Sequence, residues 1–227
     1  MLEHNYKPTE KELKEAENHL DRLADIKLVR HSKTLLVGEN ACGKSLFRQI
    51  VRTGKKTEDR PIVFHASMQI RTSSNPSMGA LSSMAQDLPW LATSHSTLGC
   101  VEQVLKQADR CITEKRPFGL CIDEPEIGLG AGAQRGLANW LFPELNKRAE
   151  FADFTIVISH SPIFVKAGQQ LAWDFLDLSL QPTKNPDEWL QKQADETYVI
   201  TPDHLLAKAS TLFVTVRDRL NKNSKTK

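Results

Sequence analysis

Eight consecutive residues, Gly38-Glu39-Asn40-Ala41-Cys42-Gly43-Lys44-Ser45, have the types and spacing of a phosphate cradle. Residues 34–37 (TLLV) read as a short buried strand leading into them, and residues 46–51 read as the helix that follows. In that setting, successive backbone N–H groups and a helix N-terminus concentrate positive potential on an anion. Lys44 would neutralise β- and γ-phosphate oxygens, and the Ser45 hydroxyl would be a magnesium ligand. Ala41 and Cys42 stand where Gly and Ser are frequent in such loops, so the chain must manage at Ala41 without glycine's freedom at positive φ. Cys42 has two readings, a small filler or a thiol whose pKa a nearby helix start lowers.

A second apolar run, residues 118–122 (FGLCI), delivers Asp123-Glu124-Pro125-Glu126 at its C-terminal end. In open α/β sheets that edge is where ligands bind. Asp123 suits the magnesium shell and Glu124 suits the polarisation of an attacking water. Neighbouring residues of a strand point to opposite sides, so the two acids can take different tasks. A third run, residues 154–158, ends in Ser159-His160-Ser161-Pro162, where His160 could contact a γ-phosphate and steady the water.

These residues need elements to hold them. The spacing predicts a helix over residues 9–24, with Thr9 and Glu12 as a capping box and Leu13, Ala16, Leu20 and Leu23 on one face. Residues 61–65 (PIVFH) read as a strand, and residues 71–95 as a surface loop with a short helix. Helices are expected over residues 97–114, 133–148 and about 203–220, with a frayed basic tail at 221–227. Strands alternating with helices give an α/β fold with a mostly parallel sheet flanked by helices. One domain over 1–227 is expected, with its core at about 26–180.

The chain's 227 residues suffice for one sizeable core without staples. Hydrophobic residues at 40%, charged residues at 26% and a net charge of +2 fit an ordinary globular protein, and argue against nucleic-acid binding through overall charge alone. Four scattered cysteines form no CxxC pair, which excludes a zinc pattern and a disulfide framework. The heavily charged first thirty residues do not read as a signal peptide, and no apolar run approaches the roughly 20 residues of a membrane span. A cytoplasmic protein without membrane insertion is the expectation.

The order GENACGKS, DEPEIGL, ISHSPI resembles the ATP-binding-cassette (ABC-type) ATPases of the P-loop NTPase class. It is most similar to their soluble branch, related to SMC proteins, recombination-repair ATPases and the ATPases of overcoming-lysogenisation and anti-phage systems. The resemblance spans roughly Leu35 to Val165. It implies ATP and Mg2+ as cofactors and a homodimer with two ATP molecules at its interface. One subunit would supply Lys44, Ser45, Asp123, Glu124 and His160. The other would supply a signature loop, best matched by Ser94-His95-Ser96-Thr97 just before a helix starting near Leu98, with Ser96 at the usual glycine position. Plain N-caps are the other reading of Ser94 and Ser96. Gln69 is the candidate for coupling magnesium to the helical lobe, Gly128-Leu129-Gly130 for the dimer seam, and His31 or Tyr6 for the adenine. The short interval between Lys44 and Asp123 implies a compact domain with a reduced helical lobe, and only residues 26–30 could supply a strand before the cradle.

The resulting expectation is an ATP-hydrolysing dimerisation switch in DNA repair or phage defence, gating a separate effector. Any DNA contact would use Arg71 and the tail lysines Lys222, Lys225 and Lys227. Two rivals stand beside it: the energy-coupling subunit of a membrane transporter, and a non-hydrolysing module that uses ATP only to assemble.

Overall fold

The computed structural model describes residues 8–26, 28–39, 42–53, 61–67, 72–73, 93–195 and 201–225. Helix α1 (Glu10–Asp25) starts where the capping box requires: Glu12 N–H donates to Thr9 Oγ1 at 3.3 Å, and Thr9 N–H donates to Glu12 Oε2 at 2.8 Å. Its buried face is Ala16, His19, Leu20 and Leu23, the i, i+3, i+4, i+7 stripe of an amphipathic helix. Then come β1 (Ser32–Val37), α2 (Lys44–Thr53), β2 (Ile62–Ser67), β3 (Thr72–Ser73), α3 (Thr93–Thr113), β4 (Phe118–Asp123), α4 (Ala131–Ala149) and β5 (Phe154–Ile158). The chain continues through α5 (Pro162–Gln170), β6 (Asp174–Asp177), α6 (Pro186–Ala194) and α7 (Pro202–Lys225).

The strands make one sheet in the order β3-β2-β4-β5-β1-β6, parallel throughout except for β3 at the edge. Both β4 and β5 are buried at every position, as parallel strands covered on two faces must be. The two-residue period sorts their side chains into two cores. Leu35, Val37, Leu120, Ile122 and Val157 face α3, α4 and α5, while Leu36, Cys121, Ile156 and Ile158 face α1, α2 and α7. The fold is therefore a three-layer α/β sandwich.

Register sets the functional edge. Ile158 lies opposite Leu36 and Asp123, Asp123 lies opposite Ser67, and Val37 lies opposite Asp177. Every chemical motif follows one of these residues, so all emerge at the carboxyl edge of the sheet.

Several expectations change. Residues 26 and 28–30 form no strand, because β1 begins only at Ser32. The helix expected from residue 97 begins at Thr93 and runs through Gly99, whose missing side chain faces open space. Ser94 and Ser96 thus lie within the first turn of α3 rather than in a loop before it. The last helix continues to Lys225, so most of the supposed frayed tail is helical. Residues 74–92 of the expected surface loop lie outside the described residues, as do Tyr6, Asn40, Ala41, Gln69, Arg71 and Lys227.

Candidate functional site

The cradle begins where β1 ends. Gly38 has φ +153, and a Cβ there would lie 2.5 Å from Cys42 Sγ and 3.3 Å from Ser179 N. Gly43 has φ +94 with a Cβ position 3.0 Å from Leu23. Gly38 requires glycine by backbone angle and by space, and Gly43 by backbone angle. Lys44 is buried and donates from Nζ to the carbonyls of Gly38 (3.1 Å) and Glu39 (2.9 Å), holding the loop closed on itself. Ser45, the second residue of α2, is exposed. Cys42 is buried against the loop, and burial pushes its thiol above the ordinary range despite the pull of Lys44. Its burial fits the reading of Cys42 as a small filler.

The loop is clasped from behind by the terminal helices. His19 on α1 makes a 2.6 Å hydrogen bond from Nε2 to the Cys42 carbonyl, and Arg22 Nη2 lies 3.0 Å from His19 Nδ1. A carbonyl can only accept and a guanidinium can only donate, so the ring is the neutral tautomer with its proton on Nε2. Burial holds the His19 pKa below its ordinary value, with Arg22 and Lys208 adding to the effect. Glu39 receives Lys192 Nζ of α6 at 2.9 Å and also pairs with Lys208 of α7. Burial opposes the Glu39 charge, yet these two ammonium groups hold its carboxyl below the usual range. Sequence reasoning gave none of these contacts: Glu39 meets Lys192 and Lys208 more than 150 positions away, and His19 meets the Cys42 carbonyl 23 positions on.

A depressed histidine pKa contributes stability that is present above the unfolded value of about 6.5 and lost as pH falls through the folded pKa. His19→Gln keeps a donor for the Cys42 carbonyl and does not titrate. On acidification from pH 7, the melting temperature of the wild type is expected to fall more steeply than that of His19→Gln. Parallel pH profiles would contradict the role assigned to the neutral ring.

Asp123, the last residue of β4, and Glu124, just past it, part through a turn rather than by alternation along a strand. Asp123 faces α2: its Oδ2 accepts from Arg48 Nη1 at 2.5 Å and from Ser67 Oγ at 2.8 Å. Burial raises its pKa against the pull of Ser67 and Arg48. Glu124 has left the strand with φ +51, a left-handed conformation uncommon for a residue with a Cβ, and its N–H is bonded to Ile158 O at 2.8 Å. This turn aims its buried carboxylate at β5, where His160 Nε2 lies 2.7 Å from Glu124 Oε1.

A third acid, Glu126, closes the DEPE run. It is buried, and its Oε1 accepts from Ser159 Oγ at 2.8 Å and from His160 N–H at 2.6 Å. Its Oε2 is buried without a hydrogen-bond partner among the described residues, and burial raises its pKa. Glu126 thus fixes the backbone that carries His160. Gln134 of α4 extends the network by accepting from Ser161 Oγ at 2.7 Å and donating to Leu129 O at 2.8 Å.

Lys44, Asp123, Glu124 and His160 therefore meet at one edge. His31 does not: it sits before the opposite end of β1, with Nδ1 bonded to Ala152 O at 2.9 Å. Six strand residues, about 20 Å, separate it from the cradle, which excludes it as an adenine contact. Gly128-Leu129-Gly130 forms the turn before α4, with Gly130 as the N-cap. Ser94 and Ser96 lie in the first turn of α3.

Strand β5, which leads into His160 two residues beyond its end, separates the cradle strand β1 from the acid strand β4, and the phosphate cradle links β1 to α2. With this order and loop, the fold is that of the P-loop NTPases. No protein-family model and no curated protein matches the sequence. Two solved structures similar to the chain are the Aeropyrum pernix ORC2 protein, in ADPNP-ADP complexes, and Drosophila ORC bound to AT-rich DNA and Cdc6. The first has 12% identity over 78% of this chain and 50% of its own, with a TM-score of 0.33. The second has 12% identity over 89% of this chain and 39% of its own, also at 0.33. The chain thus spans half or less of either protein, and the likeness is too slight to bear on function.

Proposed function

We propose that the chain binds and hydrolyses ATP with Mg2+, as a compact ABC-type ATPase that dimerises around nucleotide and acts through a separate effector in DNA repair or phage defence. The observation that carries the catalytic part is the convergence of the Gly38–Ser45 cradle, Asp123 and the Glu124–His160 pair on one sheet edge. The dimer and the effector rest on the resemblance of GENACGKS, DEPEIGL and ISHSPI to that family.

The triphosphate would lie on the cradle N–H groups. Lys44 would exchange the Gly38 and Glu39 carbonyls for β- and γ-oxygens, which cost it nothing in charge and satisfy it better. Ser45 and Asp123 offer the hard oxygen donors that suit Mg2+, which when bound offsets charge on the β- and γ-phosphates. Glu124 would take the proton of a water whose oxygen attacks the γ-phosphorus, while the bond to the β–γ bridging oxygen breaks and ADP leaves. His160, bonded to Glu124 and anchored by Glu126, would orient that carboxylate and the water. Binding restricted to the closed dimer would favour it by about 2.7 kcal/mol per site at a hundredfold excess of ATP over Kd.

Calorimetric titration with ATP tests the proposal at its base. Saturable binding of one nucleotide per chain is expected, and no binding at millimolar ATP would remove it. A module that assembles on ATP without turnover is the second reading, favoured by the Arg48 guanidinium on Asp123. For the transporter reading, no helix among the described residues is long and apolar enough to cross a membrane.

A further inference from the structure

Arg48 lies one helical turn beyond the cradle residues Lys44 and Ser45 on α2, four and three positions on. Its Nη1 reaches 2.5 Å from Asp123 Oδ2 and 2.8 Å from Ser67 Oγ, and Ser67 Oγ itself donates to the same Asp123 oxygen at 2.8 Å. The register of β2 on β4 sets Ser67 opposite Asp123, which closes this three-membered ring. The side chains of Arg48 and Asp123 are only 14% and 3% exposed, so the pair is shielded from solvent screening. A guanidinium is a permanent cation at any physiological pH. The carboxylate best suited to the shell of a divalent ion is therefore already paired with a fixed positive charge.

We infer that Arg48 is the resident cation of this site: it neutralises Asp123 so that the cradle takes up a nucleoside triphosphate without a divalent ion, and it competes with that ion for the carboxylate. The inference rests on the nucleotide reading of the cradle. Two physical consequences follow from one charge. Without metal, the guanidinium shields the incoming phosphates from Asp123, and like charges at that edge no longer repel. With metal, the ion must displace an arginine from a short charge-assisted hydrogen bond before it gains the carboxylate. Arg48 acts on nucleotide through Asp123 and is a positioning residue.

The test measures the ATP dissociation constant by calorimetry in EDTA and in excess Mg2+, for wild type, Arg48→Met and Arg48→Lys. Methionine keeps an unbranched stem and removes the charge. In Arg48→Met, the ratio of the metal-free to the metal-bound dissociation constant is expected to rise by about tenfold or more, the scale of a lost hydrogen bond to a charged group. The Mg2+ concentration at half-saturation is expected to fall. Arg48→Lys keeps the charge without the fork that spans Ser67 and Asp123, and its ratio is expected to move the same way by less. That smaller shift still decides the matter if the methionine variant does not fold. ATP binding with the same ratio in wild type and both variants would overturn the role of Arg48 while leaving the cradle intact. No ATP binding by folded wild type in either buffer would overturn the nucleotide reading and this inference together.

Discussion

Glu124→Gln is expected to bind ATP as the wild type does and to hydrolyse it about a hundred- to ten-thousandfold more slowly, the range that a positioned general base contributes. The substitution is isosteric, so the left-handed turn at φ +51, the bond from Glu124 N–H to Ile158 O and the contact with His160 can all persist. What is lost is the basic carboxylate that accepts the proton. Steady-state phosphate release, with binding measured in parallel, separates the two effects. Turnover at the wild-type rate would show that the base lies elsewhere. If ATP closes a dimer, the slow variant should also accumulate it, because the step that reopens the dimer is blocked.

Lys44→Ala is expected to weaken ATP binding by about ten- to hundredfold, since a hydrogen bond to a charged group contributes about 1.5–3 kcal/mol. In the structure Lys44 Nζ ties the Gly38 and Glu39 carbonyls, so the alanine variant also loses a clamp within the loop. Circular dichroism and melting temperature distinguish that local loosening from unfolding. The fold should survive, because His19, Lys192 and Lys208 still hold Cys42 and Glu39 from outside the loop. Unchanged ATP affinity in a folded variant would place the phosphates away from the cradle.

The parts of this site that a reader of the sequence could see are those written locally. The cradle, the DEPE run and SHSP each occupy a few consecutive residues, and their flanking strands are plain apolar runs. The capping box of α1 is likewise a four-residue signal, and it formed as read. Strand order is not local: nothing in residues 118–123 states that β5 rather than β1 lies beside them, and the Glu124–His160 bond depends on that choice. Arg48 shows the boundary well. Its spacing from Lys44 and Ser45 places it on the same helix face, but its partner Asp123 is 75 positions away, and their meeting depends on where β4 falls in the sheet. The two helices between residues 162 and 194 also carry local signals. Ser161-Pro162 and Asn185-Pro186 are N-cap and first-turn signals, and both caps are made. The start of α3 at Thr93 escaped the sequence for the opposite reason. A family pattern suggested a loop there, while no residue from Thr93 to Gly99 is a strong enough breaker to end a helix that Val101, Val104, Leu105 and Ala108 anchor in the core.

The measurement that bears most directly on the central claim is ATP hydrolysis by the purified wild-type chain with Mg2+, followed as the protein concentration is raised and with the oligomeric mass recorded in the same samples. Turnover whose specific rate climbs with concentration, together with an ATP-dependent dimer, is the expected result. Saturable ATP binding without turnover at any concentration would contradict it, and would make the chain a nucleotide-dependent assembly module.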